Sequence, residues 1–157
     1  MLTQQQLKNL FEYQDGNLIW KISKGKRGKI GSIAGTITSN GYLSIRVDKK
    51  NYKAHRLVYL YHHGYLPNII DHIDRDKLNN KIENLREATI SQNNVNTKIR
   101  KDNASGLKGV TWHKASNKWC AQIMVNCKQN HIGLFLDIED ARAAYLQARR
   151  KYFGEFA

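Results

Sequence analysis

The apolar positions along the chain change period several times, and each change marks an element. Thr3-Gln4-Gln5-Gln6 has the spacing of a capping box, and Leu7, Leu10 and Phe11 follow at helical intervals, which predicts a short helix to about Glu12. Asp15-Gly16 marks a turn, after which Asn17-Leu18-Ile19-Trp20-Lys21 alternates like a strand. Residues 22–31, rich in Lys, Arg, Gly and Ser, read as a basic loop. Beyond it 32–36, 42–47 and 51–53 read as strands, with Asn40-Gly41 as the hairpin signal between the first two. From Ala54 to His63 the spacing of Leu57, Tyr59, Leu60 and Tyr61 is helical, Gly64 stands where a C′ residue belongs, and Pro67 confirms the stop.

The next stretch reads strand, loop, strand, helix: Ile69 to Asp74, a polar loop, Leu85 to Ala88, then a helix starting at Thr89 to Ser91. Residues 98–106 are polar and unpatterned, a linker by composition. Three strands follow (108–113, 118–125 and 129–135), with turns at Ser116-Asn117 and Cys127-Lys128. The last helix has Asp137 as N-cap, Glu139 and Asp140 in its first turn, Arg149, Arg150 and Lys151 at its end, and a stripe of Ala141, Ala144, Tyr145, Ala148 and Tyr152. The class is α+β. Its parts are a helix-plus-antiparallel-sheet unit over 1–53, a central strand-loop-strand-helix domain with its leading helix over 54–97, the linker over 98–106, and a three-stranded sheet packed on one helix over 107–157.

Charge narrows the partners. The 157 residues carry 26 Lys and Arg against 13 Asp and Glu, a formal net charge of +13 spread along the whole chain. A body this basic points to a polyanion, nucleic acid before an anionic membrane surface. No stretch approaches the ~20 apolar residues of a membrane span, and MLTQQQLKNLF has neither the basic nor the apolar region of a signal peptide, so the expected location is the cytoplasm. Two cysteines, Cys120 and Cys127, exclude a disulfide framework and a thiolate zinc cage.

The densest polar chemistry runs from Asp71 to Asn94. Asp71 and His72 are consecutive at a strand end, so their side chains diverge unless the loop twists them together. If the following helix packs across the ribbon, Asn93 and Asp71 converge on one oxygen-rich site beside His72. A carboxylate and an amide oxygen leave room for water and phosphate oxygens, the shell Mg²⁺ prefers. A neutral imidazole beside such a cation can act as general base toward water. Asp74 and Asp76 read as turn residues, and Asn79 and Asn80 as shaping the loop. His55 either touches phosphate or the catalytic loop, or has a packing or capping role. His62 and His63 lack carboxylate or cysteine company, so no metal role is expected of them.

The run DHID, then NN, then ENL, then a distal Asn resembles the HNH endonuclease family, in the branch ending in Asn found in phage and intron homing enzymes; AHRLVYLYHHGYLP resembles that branch's leading helix. The resemblance implies a ββα-metal fold. It implies that His72 is the general base, that Asp71 and Asn93 hold one divalent metal, and that Asn84 braces the loop through backbone near His72. The metal would be Mg²⁺, with Mn²⁺ or another divalent ion as substitute. Cleavage would leave a 5′ phosphate and a 3′ hydroxyl.

The C-terminal span resembles the ethylene-response-factor-type (APETALA-type) DNA-binding domain through Lys108-Gly109-Val110, Trp119 with Ala121 and Ile123, Ile132-Gly133-Leu134-Phe135, and the EDARAAY helix. That resemblance implies a sheet lying in the major groove. Lys108, Trp112, Lys118, Gln122, Met124, Gln129 and His131 are the candidates for its DNA face. Thr111, His113 and Met124 stand among the positions where arginines of that family read guanine, so phosphate tracking is expected over base readout. Arg27 and Arg56 are further candidates for backbone contact. The reading is a metal-dependent endonuclease acting on double-stranded DNA as a monomer or weak dimer, without a membrane. Its rivals are a non-catalytic DNA-binding regulator and an RNA-directed nuclease or binder.

Overall fold

Helix formation at the N-terminus stops earlier than the periodicity predicts. A computed structural model describes residues 2–23, 28–99 and 103–156. In it α1 spans Gln4–Leu10, with the Thr3 capping box in place, and Phe11 already has extended dihedrals. Phe11 opens β1 (Phe11–Gln14), which pairs antiparallel with β2 (Asn17–Trp20) so that Phe11 faces Trp20. The two rings sit 4.4 Å apart, and burial of Phe11 in this pair outweighs one more helical residue. The hairpin closes through Asp15 and Gly16, both at positive φ.

A second antiparallel sheet has the order β3-β4-β5: β3 (Thr36–Ile37), β4 (Leu43–Val47) and β5 (Lys50–Lys53). The strand expected over 32–36 is reduced to one bridge, Ile33 to Ile19, before β3 begins. Helix α2 (Ala54–His63) follows β5 directly and ends on Gly64 in the left-handed region, as the sequence indicates. Next come β6 (Ile69–His72) and β7 (Leu85–Ala88), paired antiparallel with Asp71 opposite Arg86 and His72 opposite Leu85. One core joins α1, both N-terminal sheets, α2 and the ribbon; Leu7, Phe11, Leu18, Ile45, Leu57 and Val58 are essentially inaccessible. The segments 1–53 and 54–88 therefore fold around shared apolar contacts.

The chain divides into two compact units, Met1–Ala88 and Thr89–Ala157. The division precedes α3 (Ile90–Asn96), whereas the sequence places the break in the polar stretch 98–106. The reason lies in what holds α3. Its N-cap Thr89 forms a capping box with Gln92, its buried Ser91 accepts the Asn126 backbone N–H at 2.9 Å, and Lys108 Nζ reaches the carbonyls of Asn94, Val95 and Thr97 at 2.7–2.9 Å. These bonds tie α3 to a three-stranded antiparallel sheet of order β10-β9-β8: β8 (Val110–His113), β9 (Lys118–Val125) and β10 (Lys128–Phe135). Helix α4 (Ile138–Phe153), capped by Asp137, covers the sheet through Ala141 and Tyr145. Gly109 permits that approach: a Cβ there would stand 2.2 Å from the Tyr145 ring. The class is α+β, and no helix among the described residues is long and apolar enough to cross a membrane.

Candidate active site

Polar residues that a fold buries must be paired, and in the first unit the buried ones among the described residues gather at the loop end of the β6-β7 ribbon. Asp71, His72, His55 and Asn80 are 5%, 6%, 6% and 3% exposed. Alternation along β6 sends Asp71 and His72 to different neighbours. Asp71 Oδ2 accepts from Arg86 Nε at 3.1 Å and forms an ion pair with the second guanidinium nitrogen at 3.1 Å, across the strand pair. His72 lies among aromatic groups, its ring centroid 5.0 Å from His55 at 79° and 6.3 Å from Tyr42. His72 Nε2 lies 3.2 Å from Asn80 Oδ1.

The loop after His72 is closed by carboxamides. Asn84 accepts the Ile73 N–H on its backbone carbonyl at 2.9 Å and the Asp74 N–H on Oδ1 at 3.1 Å. Its Nδ2 donates to Asp74 Oδ1 at 2.9 Å and to the Asn79 carbonyl at 2.8 Å. Burial raises the Asp74 carboxyl pKa, but donation from the Asp76 backbone, Asn79 and Asn84, with the field of His72, leaves it below the usual carboxylate range. Asp74 and Asp76 thus cap the turn, Asp76 accepting the Leu78 N–H.

His55 is the buried neutral imidazole of the group. Desolvation, then the fields of His72, Lys53 and Arg56, push its pKa down to about 3. Tyr42 stands 5.3 Å from it, and the ammonium groups of Lys53 and Lys77 lie 4.2 and 4.7 Å from the Tyr42 ring centroid. Two cations therefore border the ring that neighbours both imidazoles. Sequence reasoning missed Arg86, Tyr42, Lys53 and Lys77 as parts of this cluster. Only the opposition of strands predicted at 69–74 and 85–88 could have suggested Arg86.

Among the described residues no group of three or more His, Cys, Asp and Glu converges to hold a metal, so a closed protein cage is absent there. The Asp71 carboxylate, held by Arg86 through Oδ2, is an oxygen donor of the kind that suits a hard ion keeping several waters and taking substrate oxygens, as Mg²⁺ does. Asp71 and His72 belong to the first unit; Asn93, half-buried on α3, belongs to the second.

The nucleic-acid candidates separate by register. Lys118, Gln122, Met124, Gln129 and His131 share one face of the C-terminal sheet, since Gln122 pairs with His131 and Met124 with Gln129. Gln129 and Gln122 are hydrogen-bonded to each other, and His131 Nδ1 lies 3.4 Å from Cys120 Sγ. Trp112 departs from the expected grouping. It pairs with Trp119 and shares a strand face with buried Val110 two residues away, so it lies on the helix-covered face although 46% exposed. Lys108 is engaged at the C-terminal carbonyls of α3, and Arg56 donates to the carbonyls of Pro67 and Asn68 at 3.1 and 3.2 Å. Those bonds give both cations a structural use. Arg27 lies outside the described residues.

Residues 52–95 match a family model described as HNH endonuclease. The chain is 38% identical over 88 residues to Protein 3.8 of Escherichia phage T7, covering 56% of this chain and 72% of that protein. It is also 35% identical over 121 residues to an uncharacterized HNH endonuclease, L560, of Acanthamoeba polyphaga mimivirus, covering 75% of this chain and 62% of that protein. No solved structure matches the chain.

Proposed function

The chain belongs to the HNH endonuclease family, and from that premise we propose that it is a metal-dependent endonuclease hydrolysing phosphodiester bonds of double-stranded DNA. The observation that carries the reading is the buried Asp71-His72 pair at the end of a two-stranded ribbon whose loop is locked by Asn84. His72 is the general base that takes a proton from the attacking water, and Asn84 holds the loop backbone at Ile73 and Asp74 so that the imidazole stays in place. Asp71 would hold one divalent ion, Mg²⁺ with Mn²⁺ as substitute, Asn93 being the further ligand that the sequence resemblance implies, and the ion would supply positive charge for the scissile phosphate and the departing 3′ oxygen. Arg86 keeps the Asp71 carboxylate oriented in its buried position. Lys53 and Lys77, bordering Tyr42, offer positive charge to the phosphates that flank the cut.

The C-terminal sheet serves as a DNA anchor in this reading, of the ethylene-response-factor type that its sequence resembles. Linking it to the nuclease raises the local concentration of duplex without demanding strong binding from either part. One metal site gives one cut strand per visit, so a monomer nicks, in the manner of homing and nicking enzymes of mobile elements. The viral sources of the relatives fit action in host cytoplasm. The test is supercoiled plasmid with purified protein in Mg²⁺ or in excess chelator. Open circles formed with Mg²⁺ alone are the expected result. Unchanged plasmid with Mg²⁺ and with Mn²⁺ would leave a binding protein, and cleavage of RNA but not plasmid would replace the substrate.

A further inference from the structure

We propose that Asn80 is a positioning residue for His72: its side-chain carbonyl holds the imidazole as the Nε2–H tautomer, so that Nδ1 is the nitrogen that takes the proton from water. This rests on reading His72 as the general base. The orientation of the Asn80 amide comes from its other end, where Nδ2 donates to the Leu78 carbonyl at 3.2 Å. Oδ1 is thereby directed at His72 Nε2, 3.2 Å away. A carboxamide oxygen only accepts, so the hydrogen of that bond resides on Nε2, and the lone pair of the neutral ring resides on Nδ1. Both groups are buried, and a buried amide and a buried imidazole facing each other keep their bond because breaking it strands two polar groups.

Neither partner can easily turn. The His72 ring is packed edge-on against His55 and neighbours Tyr42, so rotation about its Cβ–Cγ bond would have to displace another ring. The backbone carrying Asn80 is clamped by the β1-β2 hairpin. Tyr13 Oη accepts the Ile82 N–H at 3.0 Å, Lys81 pairs with Asp15 at 2.7 Å, and Gly16 lies so close that a Cβ would stand 2.9 Å from the Lys81 nitrogen. An N-terminal hairpin remote in sequence thus sets the position of the amide that sets the tautomer. Asn79, its neighbour, instead bonds Asp74 in the turn, so the two adjacent asparagines have separate tasks.

The experiment uses the full chain with ¹⁵N-labelled histidine, the His72 ring resonances being assigned with His72→Gln, and compares the native protein with Asn80→Leu and Asn80→Asp. Leucine matches the volume without an acceptor, and aspartate keeps an acceptor. The expected spectra show the proton on Nε2 in the native chain and in Asn80→Asp, and a tautomer mixture in Asn80→Leu. Plasmid nicking by Asn80→Leu should fall by about 10–100-fold in kcat, the scale of partners that orient a catalytic group, with KM little changed. Asn80→Asp should recover most of that loss, which a merely structural contact would not. A native His72 carrying its proton on Nδ1, or an Asn80→Leu chain cutting at the native rate, would overturn the assignment; the first needs no variant to fold. His72→Ala cutting at the native rate would sink the general-base reading while leaving the tautomer result valid.

Discussion

The ribbon end of the first unit and the open sheet face of the second are both polar, but they differ in how their side chains are held. Asp71, His72, His55 and Asn80 are buried, and each has a named neighbour fixing its direction. On the sheet, Gln129 and His131 are exposed, Gln129 bonding Gln122 and His131 approaching Cys120. Proton transfer demands a group fixed to within a fraction of an ångström, so chemistry needs the first arrangement. Following a phosphate backbone tolerates rearrangement and water, so binding can use the second. The contrast supports the proposal that proton transfer belongs to the first unit's buried cluster and duplex anchoring to the second unit's sheet.

Acid is the strongest lever on the buried cluster. His55 has a pKa near 3 in the fold against 6.5 for an unperturbed ring. The unfolded chain therefore binds the extra proton first as pH falls, and stability present above about pH 6.5 is lost progressively down to about pH 3. The loss attributable to His55 is on the order of 4 kcal/mol. His55→Gln should flatten this part of the pH dependence in denaturant melts, and an unchanged acid profile would show that the imidazole is solvated. Next in size is Arg86→Met, which leaves the Asp71 carboxylate buried without its cation and should cost about 3 kcal/mol by chemical denaturation. A loss under about 0.5 kcal/mol, within the range of exposed pairs, would mean that water reaches Asp71.

Effects in the second unit should be smaller. Lys108→Met removes the ammonium from the carbonyls ending α3 and should cost about 1–2 kcal/mol, read as a lower denaturation midpoint. If stability holds while DNA affinity falls, Lys108 serves phosphate and not the helix. Lys118→Gln should leave stability alone and reduce the slope of log affinity against log salt by about 0.9, one phosphate contact. An unchanged slope would remove Lys118 from the anchoring face.

Much of this contrast was legible in the sequence, for local reasons. Helix α2 was readable because Gly64 and Pro67 punctuate its end, and β7 and β9 because their lengths and flanking turns are self-contained. Phe11 was not, because an apolar residue after Leu10 satisfies helix and strand periodicities equally, and only Trp20, across the hairpin, decides. The membership of α3 in the second unit depends on Lys108 and on the Ser91–Asn126 bond, contacts spanning 11 to 35 residues that no local pattern encodes. Trp112 needed the strand register, which shows it opposite Trp119. At the site, Asp71, His72 and Asn84 could be chosen by resemblance to a family motif, and Asn84 does tie the loop at Ile73 and Asp74. Asn80 and Arg86 could not, since their importance comes from a tight loop and a strand pairing that exist only once the chain is folded.

The separation of chemistry from grip is tested most directly by single-turnover cleavage of a labelled DNA duplex in Mg²⁺ by native protein and His72→Ala, each saturating the duplex, with binding measured in parallel. The expected result is equal binding with a cleavage rate lower by about 10²–10⁴-fold, the scale of a general base. Cleavage by His72→Ala at the native rate would contradict the assignment of proton transfer to the buried cluster.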